Sequence, residues 1–253
     1  RVAAEGLVNV ATDGAKGAVI ELNSETDFVA RNPEFQDFVG SICQVALCQG
    51  GDFDKTSAAV MDGGKSVVDT VTEMVGTIGE NLSFRRSAGI TVSEGVVASY
   101  VHGAVAPNQG KIGVLIGLQS AGDAGKLAEF GKQLAMHIAA ANPQWVSQEE
   151  VDTDAVDRER EVLADQAREA GKPEEIVQKM VDGRLRKYYE EVCLMDQTFV
   201  IDGETKISKA VEAAAGDAGA PIKIVGFARF QLGEGIEKEE SDFAAEVAAT
   251  AGG

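Results

Sequence analysis

The most constraining feature of this sequence is an arrangement of apolar segments that occurs twice. In its first occurrence, the apolar stretches 6–11 and 17–23 are joined by the segment TDGAKG. Asp-Gly between two such stretches is typical of a β-hairpin. In the following segment, 33–47, apolar residues recur three, four and seven positions apart, which is the spacing of one helix face. The chain therefore begins with a predicted hairpin, a polar loop and a helix.

The second occurrence has nearly the same internal spacing. The stretches 95–103 and 111–119 are joined by AVAPNQG and lead into a second helical pattern at 127–140. Ala18 corresponds to Val114 at an offset of 96 residues. Phe35 corresponds to Phe130 at an offset of 95 residues, and a nearly constant offset favours an internal duplication. The alternative, that short apolar segments recur in any chain of mixed α and β structure, stays open at this point.

Each unit also has a later apolar segment, and together these segments predict the architecture. The segments 82–92 and 222–232 predict one further strand for each unit. We predict an α+β fold with two related subdomains, each a small antiparallel sheet packed by helices, plus an inserted antiparallel helical hairpin and a C-terminal helix. The predicted boundaries are 1–93 for the first core subdomain, 94–146 with 193–232 for the second, 147–192 for the helical hairpin, and 233–253 for the C-terminal module.

The segment 147–192 has the pattern of two charged helices. Ser147 followed by Glu150 predicts a capping box at its start, and Gly171 and Pro173 predict a short turn between the helices. Helices joined by so short a turn are expected to lie antiparallel. Their narrow apolar stripe suits helix pairing or a partner surface better than a globular core. The predicted stripe residues are Val156, Leu163, Ala170, Ile176, Val177, Met180, Leu185 and Tyr188.

An excess of acidic residues limits the classes of partner. The 253 residues include 41 acidic and 23 basic side chains, giving a net charge of −18. Such a surface repels phosphate backbones, so we expect no direct nucleic-acid binding. It is compatible with a basic protein partner, but it also serves solubility alone. No apolar run approaches the ~20 residues that span a membrane, and the opening RVAAEGLV lacks a signal-peptide pattern. We therefore expect no membrane partner.

Residue types that carry catalysis or bind metals are sparse and scattered. Cys43, Cys48 and Cys193 have no CxxC spacing, which favours reduced thiols in a cytosol-like compartment over a disulfide framework or a zinc site. His102 and His137 are far apart in the sequence. A lone histidine within a helix, such as His137, is usually a hydrogen-bonded packing residue. A carboxylate-only Mg²⁺ site is left open by the abundance of acids.

The sequence contains two incomplete nucleotide-binding patterns. MDGGKS at 61–66 resembles the end of a P-loop, but Ala59 occupies the position of the required earlier glycine. GEG at 233–235 lacks the third glycine of a dinucleotide fingerprint, and no GxSxG elbow is present. We therefore expect no enzyme activity, no catalytic residue, no cofactor and no metal.

Apolar residues in predicted loops are the more informative feature. Three such groups are Asp27-Phe28-Val29, Ile78-Gly79 and the segment Tyr100 to Gly103. Apolar side chains at turns, surrounded by polar ones, indicate a contact surface. The alternative is that Phe28 folds inward as a cap on the sheet. The residues alone leave both interpretations open.

Five segments, found in this order, carry a resemblance that covers essentially the whole chain. They are ELNSETDFVARNPEF, IGENLSFRR, ASYVHG, GKPEEIVQKMVDGRLRKYYEEVCLMDQTFV and GFARFQLGEGIEKEESDFAAEVAA. Together they resemble the translation elongation factor Ts family. The resemblance implies a guanine nucleotide exchange factor that promotes GDP release from elongation factor Tu in translation elongation. It also implies two related α+β subdomains and a coiled-coil or dimerisation module at 147–192.

The resemblance also implies a set of partner-binding residues. They are Asp27, Phe28, Val29, Ile78, Gly79, His102, Val200 and Ile201. Asp27 and Phe28 match the tip that wedges into the GTPase domain of elongation factor Tu near its Mg²⁺ site. Ile78, Gly79 and His102 match further positions at that contact. Val200 and Ile201 match a pair that touches a second surface of the partner.

Three further expectations accompany this resemblance. Family members usually begin with a small helical domain that also contacts the GTPase domain, and no counterpart precedes Arg1. We expect this chain to lack that domain, and to keep the wedge without full exchange activity. The alternative function is a structural or assembly protein that forms a homodimer or larger oligomer through 147–192. The expected location is the bacterial cytoplasm, with the mitochondrial matrix or a plastid as alternatives.

Overall fold

A computed structural model of the chain describes residues 2–237. Within this range the chain forms seven β-strands and seven α-helices. The strands are β1 (Glu5–Asp13), β2 (Lys16–Ser24), β3 (Leu82–Thr91), β4 (Gly95–His102), β5 (Gln109–Gly110), β6 (Ile112–Gln119) and β7 (Lys223–Gln231). The helices are α1 (Pro33–Cys48), α2 (Phe53–Ala58), α3 (Val67–Ile78), α4 (Ala124–Ala141), α5 (Thr153–Glu169), α6 (Glu174–Val192) and α7 (Ile207–Ala218). The predicted C-terminal helix falls in 238–253, outside the described residues.

Two antiparallel sheets carry the internal duplication. One has the strand order β3-β2-β1-β5 and the other β4-β6-β7. In each sheet the later strand pairs with the second strand of the hairpin, β3 with β2 and β7 with β6. The first pairing shifts register between Glu21 and Leu22, and the second shifts between Gly117 and Leu118, 96 residues later. Because bulges are specific features of a strand pairing, this shared bulge confirms the two related α+β subdomains.

The segment between the strands of the second hairpin differs from the prediction. AVAPNQG was expected to join two strands, but its end forms β5, in which Gln109 and Gly110 pair with Asn9 and Val8 of β1. A short strand from the second unit thus covers part of the edge of the first sheet. Pairing here is favourable because an edge strand otherwise leaves backbone N–H and C=O groups without strand partners.

The sheets and helices stack in four layers. Helices α1 and α3 cover the outer face of the first sheet, α4 covers the outer face of the second with α7 packed beside it, and the two sheets pack against each other. The layer between the sheets buries Val8, Val19, Val97 and Leu115. Gly113 allows close approach there, since a Cβ atom would lie 2.6 Å from Cγ1 of Val8. Both faces of β2 and β6 are therefore buried, which explains their continuous apolar sequences.

Helices α5 and α6 form the predicted antiparallel hairpin. Their mutual contact buries Val156, Ala164, Ala167, Val177, Val181 and Leu185. The hairpin joins the second subdomain through paired backbone segments: Trp145 donates its N–H to the Val192 carbonyl at 3.0 Å, and Leu194 donates to the Trp145 carbonyl at 2.9 Å. Three residues of the predicted stripe lie outside this contact: Ala170 is exposed at the end of α5, and Ile176 and Met180 are exposed on α6.

The predicted capping box at Ser147 was also wrong. Asp152 caps α5, and its carboxylate accepts the N–H of Asp154 at 3.0 Å. Ser147 precedes a single 3₁₀ turn, and the Glu150 carboxylate accepts the N–H of Val146 at 3.1 Å. The helix begins late because Val151 is buried in the hairpin core with an extended backbone.

Candidate partner-binding site

Phe28 projects from a short loop between β2 and α1. Its side chain is 78% exposed, whereas Val29 and Ala30, which follow it directly, are each only 8% exposed. Phe28 precedes a single 3₁₀ turn, and its carbonyl accepts the N–H of Arg31 at 3.1 Å. The interpretation of Phe28 as an inward-facing cap is therefore wrong. The two buried neighbours anchor the turn and leave the ring in solvent.

Val29 differs from the other predicted contact residues. Its side chain packs in the core of the first subdomain together with residues of α1 and α3. A side chain so deeply buried has little surface left for a partner. We therefore interpret Val29 as the residue that fixes the base of the tip, and Asp27 and Phe28 as the residues that the tip presents.

The loop that carries Phe28 is tied to the turn after α3. The Glu80 carboxylate accepts the backbone N–H of Thr26 at 2.9 Å and the Thr26 hydroxyl at 2.6 Å. In return, the Glu25 carboxylate accepts the N–H of Asn81 at 3.2 Å. Within its own loop, the hydroxyl of Ser24 donates to the Thr26 carbonyl at 2.9 Å. These side chains hold the tip from both sides.

Asp27 does not hold the loop. Its side chain is exposed, and among residues 2–237 it forms no hydrogen bond or ion pair. Asp27 therefore does not shape the turn through a hydrogen bond to the backbone, although aspartate often does so in turns. Ser24, Glu25 and Glu80 do this instead, which leaves the Asp27 carboxylate available to a partner.

Ile78 and Gly79 lie beside the tip because Glu80 follows them in sequence. Ile78 is the last residue of α3 and packs partly against the first core. Gly79 is exposed and ends the helix in a left-handed conformation, with φ of 81° and its N–H donated to the Val75 carbonyl. Any larger residue would be strained at this φ. The hydrogen bonds of Glu80 thus bring the pair Ile78-Gly79 to the loop of Phe28.

His102 lies at the end of β4, next to a loop that reaches the tip. Its Nδ1 atom is 3.4 Å from the Tyr100 hydroxyl, and its carbonyl accepts the N–H of Lys111 at 3.0 Å. Lys111 and Val105 line a small cavity of about 90 Å³ together with Asp27. The turn after β4 and the Phe28 loop therefore meet at one side of the molecule.

Val200 and Ile201 form a separate apolar pair, 47% and 45% exposed. They lie in the loop before α7 and directly follow Phe199, which is buried in the core of the second subdomain. The loop is shaped by Asp202, whose carboxylate accepts the N–H groups of Glu204 and Thr205, each at 2.9 Å. Hydrogen bonds from the Thr205 side chain and these N–H groups lower the pKa of Asp202. No hydrogen bond within the described residues joins this loop to the Phe28 tip.

His137 supports the Val200 loop from inside the core. Its Nδ1 accepts the N–H of Val200 at 3.2 Å, so the ring proton is on Nε2, which donates to Oε1 of Gln197 at 2.8 Å. Gln197 in turn donates to the Glu191 carbonyl, in the last turn of α6, at 2.7 Å. Burial lowers the pKa of His137. The expectation of a buried, hydrogen-bonded packing histidine is confirmed, and the contacts extend it to a support for Val200.

The comparisons with known proteins agree with the resemblance seen in the sequence. A family model described as Elongation factor TS matches residues 25–234. The chain is 60% identical to elongation factor Ts of Parvibaculum lavamentivorans over 254 aligned residues, which cover 100% of this chain and 82% of the relative. It is 59% and 58% identical to those of Paramagnetospirillum magneticum and Rhodospirillum centenum, of which it covers 81% and 82%.

The chain belongs to the elongation factor Ts family. This membership gives it a nucleotide exchange role in translation elongation. The span that matches the elongation factor Ts model contains the Phe28 tip, the turn at Gly79, His102 and the pair Val200-Ile201.

One charged network of this chain was not predicted from the sequence. The Glu21 side chain is fully buried and forms ion pairs with Arg85 at 3.2 Å and Arg86 at 2.5 Å. Burial raises the pKa of Glu21, but hydrogen bonds from the N–H of Gly233, from Asn23 and from Arg86 outweigh it, so that the pKa is lowered. The network joins the first sheet to the turn after β7. The sequence did contain a signal for this network: the acidic Glu21 lies within an apolar strand segment, and the pair Arg85-Arg86 lies within another.

The described residues also have few of the features that bind metals or membranes. Between residues 2 and 237, no group of three or more His, Cys, Asp or Glu side chains is arranged to hold a metal ion. In the same range, no helix is both long and apolar enough to cross a bilayer.

Proposed function

We propose that this chain promotes GDP release from elongation factor Tu by inserting the Phe28 tip into the GTPase domain near its Mg²⁺ site. The observation that carries the proposal is the 78% exposure of Phe28 between polar residues and a buried anchor. A phenylalanine held in solvent by the structure around it is unfavourable in the free protein. Its exposure is explained if the surface that buries the ring belongs to another protein.

The exchange mechanism follows from linkage. An exchange factor must bind the nucleotide-free or distorted partner better than the nucleotide-bound partner. The exchange factor then weakens the binding of nucleotide to the partner as much as the nucleotide weakens the binding of the exchange factor to the partner. Burial of a Phe side chain contributes ~1.5–3 kcal/mol. If the ring is buried only in the distorted state, that free energy favours the state that releases GDP.

Asp27 acts in this proposal at the polar edge of the tip. A single carboxylate is a poor Mg²⁺ site, because this ion prefers several oxygen ligands in octahedral geometry. We therefore assign Asp27 to contacts with the partner protein and not to removal of the metal. Ile78, Gly79 and His102 extend the contact around the tip, since the Glu80 hydrogen bonds and the cavity near Lys111 bring their loops together.

Val200 and Ile201 contact a second surface of the partner. Their exposure supports this assignment, and the bonds from Asp202 and His137 keep their loop ordered before binding. An ordered loop loses less conformational entropy on association. The second surface would hold the factor on its partner while the tip acts on the nucleotide site.

The test is the rate of GDP release from purified elongation factor Tu. The partner is loaded with a fluorescent GDP and mixed in a stopped-flow instrument with excess unlabelled GDP, with and without this chain. We expect the release rate to rise with the concentration of the chain and to saturate. A chain that binds the partner but leaves the release rate unchanged would contradict the proposal.

A second candidate function is assembly of homodimers through 147–192. It is favoured by three exposed apolar side chains on the hairpin, Val162, Ile176 and Met180, which are 50%, 45% and 39% exposed. Exchange and assembly are not exclusive, because they use different parts of the molecule. Deleting the hairpin separates them, since only assembly requires its surface.

A further inference from the structure

Two loops distant in sequence are joined by three hydrogen bonds to carboxylates. Glu80 and Thr26 are 54 residues apart, and Glu25 and Asn81 are 56 residues apart. Each loop contributes one carboxylate and at least one N–H donor. Both loops also carry proposed contact residues, Phe28 on one and Gly79 on the other.

The contact of Glu80 with Thr26 is the stronger half of this link. The two carboxylate oxygens accept separate bonds from one residue, one from the backbone N–H at 2.9 Å and one from the hydroxyl at 2.6 Å. Bonds to an ionised acceptor are shorter and stronger than neutral ones. Thr26 and Glu80 are both half-buried, so water competes less for these bonds than at a fully exposed site.

The position of Thr26 determines what this contact controls. Thr26 lies two residues before Phe28, and the buried Val29 lies directly after it. The tip is thus fixed at both ends, by packing on one side and by Glu80 on the other. Loss of the Glu80 contact would free the backbone of Thr26 and Asp27 while leaving the core anchor in place.

We propose that Glu80 is a positioning residue for nucleotide exchange: through Thr26, its carboxylate holds the Phe28 ring in the orientation that enters the partner. This inference rests on the proposed function. A free tip can still dock through the other contact surfaces, but it must be ordered before the ring can act. Loss of the contact therefore lowers the maximal release rate more than it raises the half-saturating concentration of the chain.

Two variants and a matched control test the contact. Glu80→Ala removes both acceptors, and Thr26→Val removes only the hydroxyl bond with little change of shape. We expect the maximal rate of fluorescent GDP release to fall about tenfold for Glu80→Ala and about threefold for Thr26→Val. Thr26→Ser keeps the hydroxyl and should stay near the wild-type rate. Thermal unfolding of each variant checks that the fold is intact.

A double-mutant cycle separates positioning from direct contact. If Glu80 acts through Thr26, then Thr26→Val should have little further effect in the Glu80→Ala background. Additive effects would instead show that Glu80 touches the partner itself, and would overturn the positioning role. A normal maximal rate for folded Glu80→Ala would overturn it as well.

The same assay distinguishes failure of this inference from failure of the proposed function. If the unmodified chain does not accelerate release, the proposed function fails. If the unmodified chain is active, and Phe28→Ala but not Glu80→Ala impairs it, the wedge stands and only the positioning role fails.

Discussion

Replacement of Phe28 by alanine is the most direct perturbation of the proposed wedge. The ring is 78% exposed in the free protein, so most of its surface is available for burial on binding. Full burial of a Phe side chain contributes ~1.5–3 kcal/mol, and the available fraction therefore corresponds to about 1.2–2.3 kcal/mol. If this free energy is gained only in the state that releases GDP, its loss slows the stimulated release by about 7- to 50-fold.

The same substitution should leave the folded protein intact. Phe28 makes little contact within the chain, and exposed substitutions usually change the free energy of unfolding by less than about 0.5 kcal/mol. Phe28→Leu restores an apolar side chain and should recover part of the rate. Val60→Ala is a matched control, because Val60 is also apolar, is 69% exposed and is not among the proposed contact residues.

The assay is stopped-flow release of fluorescent GDP from elongation factor Tu over a series of chain concentrations. Circular dichroism and denaturant unfolding of each variant establish that it is folded. A folded Phe28→Ala chain with an unchanged release rate would refute the wedge. An equal loss for Val60→Ala would show that the effect is not specific to the tip.

Three further predictions test the supports of the site. Replacing 152–188 by a short Gly-Ser linker, which keeps the Glu191 and Val192 carbonyls that accept bonds from the second subdomain, should leave the GDP release rate within about twofold, because the tip lies on the core. It should also abolish any oligomer seen by analytical ultracentrifugation; loss of exchange would contradict this separation. Val29→Ala should lower the free energy of unfolding by about 1–2 kcal/mol in denaturant titrations, because it leaves a cavity under the tip; an unchanged value would contradict the anchoring role. Burial holds the pKa of His137 below its ordinary value of 6.5, so between these two pKa values the unfolded state binds more protons than the folded state. The part of the free energy of unfolding that depends on neutral His137 should therefore be fully present above about pH 6.5 and should decrease as the pH falls. In unfolding titrations, His137→Gln should show a smaller decrease of this free energy; equal decreases would exclude this linkage.

Much of the fold could be predicted because its signals are local. The hairpins at the start of each unit appear as short apolar stretches around a turn, and α1 appears as a spacing of apolar residues along one face. The duplication appeared as an offset of 96 residues, and the shared bulge at Glu21 and Gly117 gives that offset a structural basis. The pattern could not predict β5, because a two-residue strand has no period of its own.

The candidate site was predicted less completely, for a physical reason. In the loop of Phe28 no periodicity assigns a side chain to the core or to solvent. The sequence alone was therefore compatible with a buried ring and with an exposed one. The resemblance indicated which residues meet a partner, but it did not separate the buried Val29 from the exposed Phe28.

The sequence by itself determined the local elements, their order and the polar character of the loop that carries the tip. Tertiary structure decided which face of that loop is buried, and it brought Glu80 to Thr26 across 54 residues of chain. A local pattern reports only how a segment divides its own residues between two faces. Whether a face or a loop residue is covered depends on distant segments packed against it, and those contacts exist only once both sheets and their helices have assembled.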